Sequence, residues 1–590
     1  MQQEEMRVVL CESRLIFLNV QSEFGTGRHE DMAEKMRSNK LLAYSRQYRS
    51  TIKACTIHLQ SLLRFSKDDN HNRIMIGQLE LMEMTELLWS LAEIIFIDQL
   101  GHQSGRYIVS QLMDWFQMKF YDGDNKVNRV IKSELYDKHH LYWDALYSLV
   151  CLARIEEARH LLSLHSSSHT EPFRTMDLLL SKMPIYKHGQ YSQQEFSLKW
   201  RQWHLVCEEQ DEDGTFSVDD KLSDLCKLLA GQDQMFTKLR DSLGTWYCML
   251  ICRLFYQSPL CEATDLKMHV QFCIDQYGGN LGLTDWDNII LSIIMMDIRE
   301  ALCIASTTFP NWWFVCHLTD LLQHSGHIDD KPAGFGSNLR EFFILEYASS
   351  LVSCPSLRDT AIGYYSSCPA YGKAHIGDLV LRDSLESTLK VEKLLHTCNK
   401  YQLESDANII CRSFSLKWLQ KKQYANALIW AVRSKDTNFT ASIVKKLLAI
   451  DAITMGNILE RWEVIADIGG TVHFNIQLTI LTKLVEYKRL LDDGNLGGAI
   501  NILIVLLKEA VIHHEFFQLL LGETMSLLEK DDIQLTSDEL FKLNEYVQEY
   551  RDALRFRRIK ADVKLLGRMN DSFEKVHQRL TNQIAACYLR

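Results

Sequence analysis

Proline is scarce. The chain has seven in 590 residues, all between Pro172 and Pro369. Because proline removes a backbone donor and breaks helices, its absence from both flanks favours long uninterrupted helices there. The middle third is expected to hold shorter helices with sharper connections. No CxxC pair occurs among the sixteen cysteines, which are scattered as they are in proteins of a reducing compartment. Cys248 and Cys252, one helical turn apart in an apolar run, read as small core hydrophobes. No stretch matches the roughly 20 apolar residues that span a bilayer. The best candidate, Leu79 to Ile97, is interrupted by Glu80, Glu83, Glu86 and Glu93, and Leu496 to Leu507 is too short. The opening MQQEEMRVVL has glutamates where a secretory signal carries positive charge, so a soluble chain is expected, with any membrane association indirect. With a net charge of −11 and no basic field, direct nucleic-acid binding is not expected.

Motifs for catalysis or metal binding are also missing. His513-His514-Glu515 lacks the paired histidines of HExxH, and His139-His140 has no ligand spacing. Gly278-Gly279 and Gly334-Phe335-Gly336 do not continue into a phosphate loop, and Gly372-Lys373 is followed by Ala374 instead of Ser or Thr. The sequons at Asn438 and Asn570 carry no weight without a signal peptide. One stretch does resemble a cation loop. In EQDEDGTFSVDD, Glu209, Asp211, Asp213, Gly214 and Asp220 fall at positions one, three, five, six and twelve of an EF-hand. A Glu at position one, a short Asp at position twelve and the lack of a second loop favour an acidic linker, with a calcium-regulated helical protein as the alternative. No catalytic, cofactor-binding or metal-binding residue and no cofactor is assigned.

What the chain does have is helical periodicity nearly throughout, over a composition that is 46% hydrophobic and 10% aromatic. Leu81, Met84, Leu88, Leu91 and Ile95 recur at three- and four-residue steps, with Glu83, Glu86, Ser90 and Glu93 on another side. Similar patterns run over about 29–67, 104–121, 139–165, 192–209, 242–257, 284–308, 386–435, 437–465, 472–491, 496–529 and 535–588. A loose echo marks several junctions: Arg154-Ile-Glu-Glu-Ala158, Tyr424-Ala-Asn-Ala427 and Asn495-Leu-Gly-Gly-Ala499. No fixed period accompanies it, so the fold expected is all-α, an irregular α-solenoid instead of a regular repeat array. In the tail, Phe556, Ile559, Val563 and Leu566 form an apolar stripe beside Arg557, Lys560, Lys564 and Arg568. That pattern reads as a helix packed on its neighbour, and alternatively as a docking surface for an acidic partner or anionic lipid.

The most tightly specified stretch is Asn311 to Leu351, NWWFVCHLTDLLQHSGHIDDKPAGFGSNLREFFILEYASSL. Pro310 is expected to start one helix and Gly326 to end it. Pro332, Gly334 and Gly336 hold a loop open, and Ser337 is expected to cap a second helix. The second helix carries only Arg340, Glu341 and Glu346 as charges between Leu339 and Val352, as a buried helix would. At least two of Trp312, Trp313 and Phe343 should be buried.

NWWFVCHLTDLL followed by FGSNLREFFILEYASSL resembles the nucleoporin eighty-five family, scaffold nucleoporins of the Y-shaped nuclear pore subcomplex. YRSTIKAC (Tyr48 to Cys55), ELLWSLAEIIFI (Glu86 to Ile97) and RIEEARHLLS (Arg154 to Ser163) are similar to further family segments, in the family's order. The resemblance runs from about Gln21 to about Leu507. It implies a coatomer-like fold with a U-turn: an ascending trunk in 1–165, a crown in 166–350, a returning trunk in 351–470 and a tail in 471–590. It further implies a non-enzymatic scaffold of the outer ring at the nuclear envelope, supporting mRNA export and protein import, with links to kinetochores and the cytoplasm. The implied partners are a Seh-type β-propeller near the N-terminus and other Y-complex nucleoporins through the tail. Family members open with a β-rich blade that completes the propeller. Here Met1 opens on a helical pattern, so weakened propeller binding is the expectation. The readings outside that family are a cytoplasmic or vesicle-coat α-solenoid adaptor and the calcium-regulated protein.

Overall fold

The computed structural model describes residues 7–25, 34–65, 69–98, 108–119, 122–133, 136–186, 192–328, 336–448, 476–510, 517–529, 536–556 and 563–589. Among the described residues every regular element is helical, as the periodicity predicts. None of these helices is long and apolar enough to cross a membrane. The chain divides into two compact units, Met1–Lys373 and Ala374–Arg590.

The first unit opens with α1 (Arg7–Phe24), α2 (Glu34–Phe65) and α3 (Asp69–Ala92), which ends in a π-helical turn at Glu93–Ile97. Shorter helices follow: α4 (Ile108–Lys119), α5 (Asp122–Ile131), α6 (Tyr142–Cys151), α7 (Ile155–Ser163) and α8 (Glu171–Ser181). Next come α9 (Gln193–Glu212), α10 (Asp220–Leu229), α11 (Asp233–Lys238), α12 (Arg240–Leu243) and α13 (Trp246–Gln257). The unit closes with α14 (Leu266–Gln276), α15 (Asp285–Ile294), α16 (Ile298–Thr308), α17 (Trp313–His324), α18 (Leu339–Val352) and α19 (Arg358–Tyr365). Neighbours in sequence pack as pairs, and α13 lies on α4. The chain also returns to its start: α19 packs on α1, and α17 packs on α2 and α3.

At the division stands α20 (Gly372–Leu381), where a Cβ on Gly372 would sit 1.9 Å from the Tyr365 carbonyl oxygen. Only glycine permits that approach, which is why the GKA sequence is structural and not a phosphate loop. The second unit continues with α21 (Thr388–Lys400), α22 (Glu404–Gln420), α23 (Tyr424–Arg433), α24 (Thr437–Leu448) and α25 (Ile476–Asp492). It ends with α26 (Leu496–Ala510), α27 (Phe517–Leu528), α28 (Ser537–Phe556) and α29 (Val563–Leu589). One core joins α23 to α29, through Leu428, Tyr487, Leu503, Leu507, Leu543 and Leu580. The longest described helices, 32 residues in α2 and 27 in α29, lie in the proline-free flanks.

The loose echo in the sequence has a single geometric cause. Ala153, Met296, Gln402, Lys422 and Gly494 all take positive φ, between 53° and 76°. The amide after each donates five residues back, as in Arg154 to Leu149, Asp297 to Ser292, Leu403 to Cys398, Gln423 to Trp418 and Asn495 to Leu490. That is the Schellman closure of a helix C-terminus. The carbonyl of the same residue then accepts the first bond of the next helix, from Ala158, Ala301, Ala407, Ala427 and Ala499. Helix end and helix start therefore share one residue. The small residue five positions past the left-handed one sits where two antiparallel helices touch, and Ala158, Ala427 and Ala499 are wholly buried. The repeating unit is this turn. Helix length is free to vary, which is why no sequence period appears.

Two expectations for the 311–351 stretch need correction. Asn338, not Ser337, caps α18: its side chain accepts from the Glu341 amide at 2.8 Å. The reason is register, since a cap must stand three residues before the donor it satisfies, and Ser337 is one too early. Pro310 lies in the turn between α16 and α17, and α17 begins only at Trp313, whose amide donates to Asn311 Oδ1 at 3.1 Å. Gly326 does end α17, at φ 84°, whereas Pro332 and Gly334 lie outside the described residues.

A non-glycine residue at positive φ carries a steric penalty that glycine relieves, less glycine's greater unfolded freedom. Gln402→Gly and Lys422→Gly are each expected to stabilise the protein by about 0.5–1 kcal/mol. Ala427→Leu overfills the helix contact and is expected to cost about 1–3 kcal/mol. Shifts of the chemical-denaturation midpoint in opposite directions check both.

Candidate functional site

The most elaborate side-chain constellation lies where the returning α17–α19 segment meets α1–α3. Tyr48 from α2 and Trp89 from α3 have ring centroids 5.3 Å apart. Trp313 from α17 stands 5.5 Å from Trp89 and 6.0 Å from Tyr48. Phe17 from α1 lies 4.5 Å from Tyr364 of α19, which meets Tyr347 of α18 edge to face at 5.0 Å. Six helices thus contribute to one aromatic core. Trp313 and Phe343 are buried, as expected of at least two of the three, and half-buried Trp312 packs on Phe343 at 6.0 Å.

Polar groups thread this core, and several have specific partners, although the buried Tyr48 hydroxyl has none among the described residues. The Trp313 indole donates to Ser13 Oγ at 2.9 Å, and the Trp89 indole donates to Ser45 Oγ at 3.1 Å. His317, wholly buried, lies 2.7 Å through Nδ1 from the Trp313 carbonyl oxygen. A carbonyl can only accept, so Nδ1 carries the proton and Nε2 accepts from Tyr364 Oη at 2.8 Å. Burial pushes the His317 pKa down to about 4, against the bond to Trp313 and the pull of Asp320. The neutral ring is the form that fits.

Beside it, Asp320 and Arg340 form a buried ion pair at 2.6 Å. Burial opposes the Asp320 charge, but Arg340 and the neighbouring His324 outweigh it and hold the carboxyl well below the usual carboxylate range. Gln21 of α1 completes the cluster. Its amide nitrogen donates to both Asp320 oxygens at 3.0 and 2.9 Å, while its oxygen accepts from Arg340 Nη2 at 2.6 Å. Arg37 of α2 donates twice to the His324 carbonyl at the end of α17, at 3.0 and 2.7 Å. Buried Glu341 accepts from the Ala370 and Tyr371 amides at 3.0 and 2.8 Å. Two of the three charges read as exceptions in a buried helix are therefore its anchors. The polar side of α3 is inside as well: Glu93 accepts from Ser45 at 2.6 Å beside Arg49 at 3.2 Å, and Ser90 accepts from Trp115 at 2.8 Å. These polar partners could be placed only by the fold, because sequence shows a polar residue in an apolar helix but not what faces it.

The calcium-like loop has structural work instead. Helix α9 continues through Glu212, so Glu209 and Asp211 lie on a helix and do not line a loop. Asp211 accepts from Gln232 at 2.8 Å, Asp219 caps α10 through the Lys221 amide at 2.9 Å, and Phe216 is buried between them. Among the described residues no group of three His, Cys, Asp or Glu is arranged to hold a metal ion. Cys248 and Cys252 are wholly buried, and burial pushes the Cys248 thiol up to about 12. His139 stacks on His140 at 4.6 Å. His513, His514 and Glu515 lie outside the described residues, as do the side chains of the tail's apolar and basic stripes from Phe556 to Arg568.

Three of the segments that carry the family resemblance meet in this core: 48–55, 86–97 and 311–351. The family model "Nup85 Nucleoporin" matches residues 1–549. The chain belongs to the Nup85 nucleoporin family. Nuclear pore complex protein Nup85 of Danio rerio is 31% identical over 549 residues, covering 92% of this chain and 83% of the relative. The Homo sapiens protein of that name is 30% identical over 543 residues, covering 91% and 81%. Nuclear pore complex protein Nup75 of Drosophila melanogaster is 25% identical over 558 residues, covering 92% and 80%. This family is one of scaffold nucleoporins and not a known enzyme family, and it replaces the vesicle-coat and calcium-regulated readings.

Asp320→Asn leaves Arg340 buried without a counter-charge and is expected to destabilise by about 3–5 kcal/mol, whereas Asp320→Asn with Arg340→Met should recover much of that loss. Thermal and denaturant unfolding of both variants checks this. A histidine whose folded pKa lies below its unfolded value near 6.5 gives full stability above that pH and loses it as pH falls. His317 should therefore remove about 3 kcal/mol between about pH 6.5 and about 4. Asp320, depressed in the folded state, adds a loss only below about pH 4. Stability measured against pH for the protein and a His317→Asn variant should differ in the upper window and converge in slope in the lower one.

Proposed function

We propose that this chain is a structural scaffold subunit of the nuclear pore complex outer ring, acting within the Y-shaped subcomplex at the nuclear envelope. The observation that carries the reading is the family match over residues 1–549. The fold supports it. A chain that spends its buried ion pairs and aromatic rings on fixing helices to one another presents rigid surfaces, and rigid surfaces are what a scaffold contributes. On this reading residues 1–165 form the ascending trunk and residues 166–350 the crown in which the chain reverses. Residues 351–470 are the returning trunk, and residues 471–590 are the tail.

The partners proposed are a Seh-type β-propeller near the N-terminus and other Y-complex nucleoporins through the tail. Membrane contact is indirect, through the coat. Support of mRNA export and protein import follows from keeping the pore assembled, and no catalytic step is involved.

A tagged copy of the full chain is expected at the nuclear rim, co-purifying with Y-complex subunits and a Seh-type propeller. A vesicular or diffuse cytoplasmic distribution without those partners overturns the reading. Rim localisation without the propeller overturns the propeller contact alone.

A further inference from the structure

The middle of the first unit holds an open cavity of about 460 Å³ that the scaffold reading leaves without a role. Five separate stretches of chain build it, Ala153 in the turn between α6 and α7 among them. Asp114 comes from α4, Pro184 and Tyr186 from the connection after α8, Trp200 from α9, and Phe255 and Pro259 from the end of α13 and the turn beyond it. The rings are held in place. Trp200 stacks on His204 at 4.6 Å and 21°, and Tyr186 meets the buried Phe196 edge to face at 5.1 Å.

Among the described residues Asp114 is the only acidic side chain lining this cavity. Among the described residues no hydrogen bond or ion pair reaches its carboxylate. It is reachable from solvent, yet the surrounding protein desolvates it enough to hold its carboxyl above the ordinary range, and no neighbouring charge offsets that. A carboxylate at the mouth of an aromatic-walled cavity is the chemistry that receives a guanidinium. The plane stacks on Trp or Tyr, the carboxylate takes charge-assisted N–H bonds, and the apolar stem lies against proline and phenylalanine.

We propose that this cavity is a docking pocket for an arginine side chain of a partner protein, with Asp114 as its counter-charge and Tyr186 and Trp200 as its stacking walls. The site does not depend on which assembly the chain joins, because the pocket can be probed with a single amino-acid derivative. The probes are Nα-acetyl-arginine amide and its neutral isostere Nα-acetyl-citrulline amide. Binding of each to the full chain is followed by saturation-transfer NMR. The arginine probe is expected to bind at least tenfold tighter than the citrulline probe. Asp114→Asn should abolish that preference without lowering the unfolding midpoint, since among the described residues the carboxylate makes no bond that the change would remove. Asp241→Asn, an exposed carboxylate in α12 away from the cavity, controls for general attraction to an acidic chain and should leave the preference intact. Absence of binding, equal binding of the two probes, a preference that survives Asp114→Asn, or one that Asp241→Asn also removes would each overturn the proposal.

Discussion

The first unit depends on closing a core between helices some 300 residues apart in sequence, and that closure rests on one buried charged cluster. Asp320 and Arg340 can be buried only together, and Gln21 fits only with its amide turned so that nitrogen meets carboxylate and oxygen meets guanidinium. Apolar packing alone would tolerate α1 sliding along the hairpin by part of a turn. A buried ion pair adds little net stability over well-packed hydrocarbon, but a misplaced partner leaves a charge uncompensated at a cost of about 3–5 kcal/mol. The cluster therefore acts on register. The Ser13–Trp313 bond and the two bonds from Arg37 to the end of α17 repeat the constraint along the same seam.

Along the rest of the chain the organising device is local. A left-handed residue closes one helix, the next residue opens another, and a small side chain five positions on lets the pair approach. Glycine would be the natural choice at the left-handed position, yet Ala153, Met296, Gln402 and Lys422 occupy it. The penalty is small enough to be absorbed by the helix contact that follows. Such an array needs no repeat length and no consensus, so an irregular solenoid can be assembled from very local rules and then closed by a few long-range contacts. The nearly uncharged core contacts and the paired polar seam suit a protein whose work is to keep its own shape under load.

The acidic loop and the open cavity show how residue type and placement separate. The acidic residues of a stretch with cation-like spacing turn out to be a helix end, a hydrogen-bond acceptor and a helix cap, because α9 runs on through the stretch. A single aspartate with no spacing signal stands beside aromatic rings, with no partner among the described residues, because separate segments of the chain meet around it.

Sequence by itself determined the helical class, the position of the buried hairpin at 311–351, the glycine that ends its first helix and the family to which the chain belongs. These are local or compositional properties: apolar spacing follows the helix period, and Gly326 is read from the conformation it alone adopts without strain. Tertiary structure decided what the polar residues do. Ser13, Gln21 and Arg37 are unremarkable in an amphipathic pattern, and Arg340, Glu341 and Glu93 look like exceptions in apolar helices. Each gains its role from a partner on another segment of the folded chain. The local pattern fixes which side of a helix is apolar, but a hydrogen bond is fixed by distance and angle between two atoms. Only the folded chain sets those.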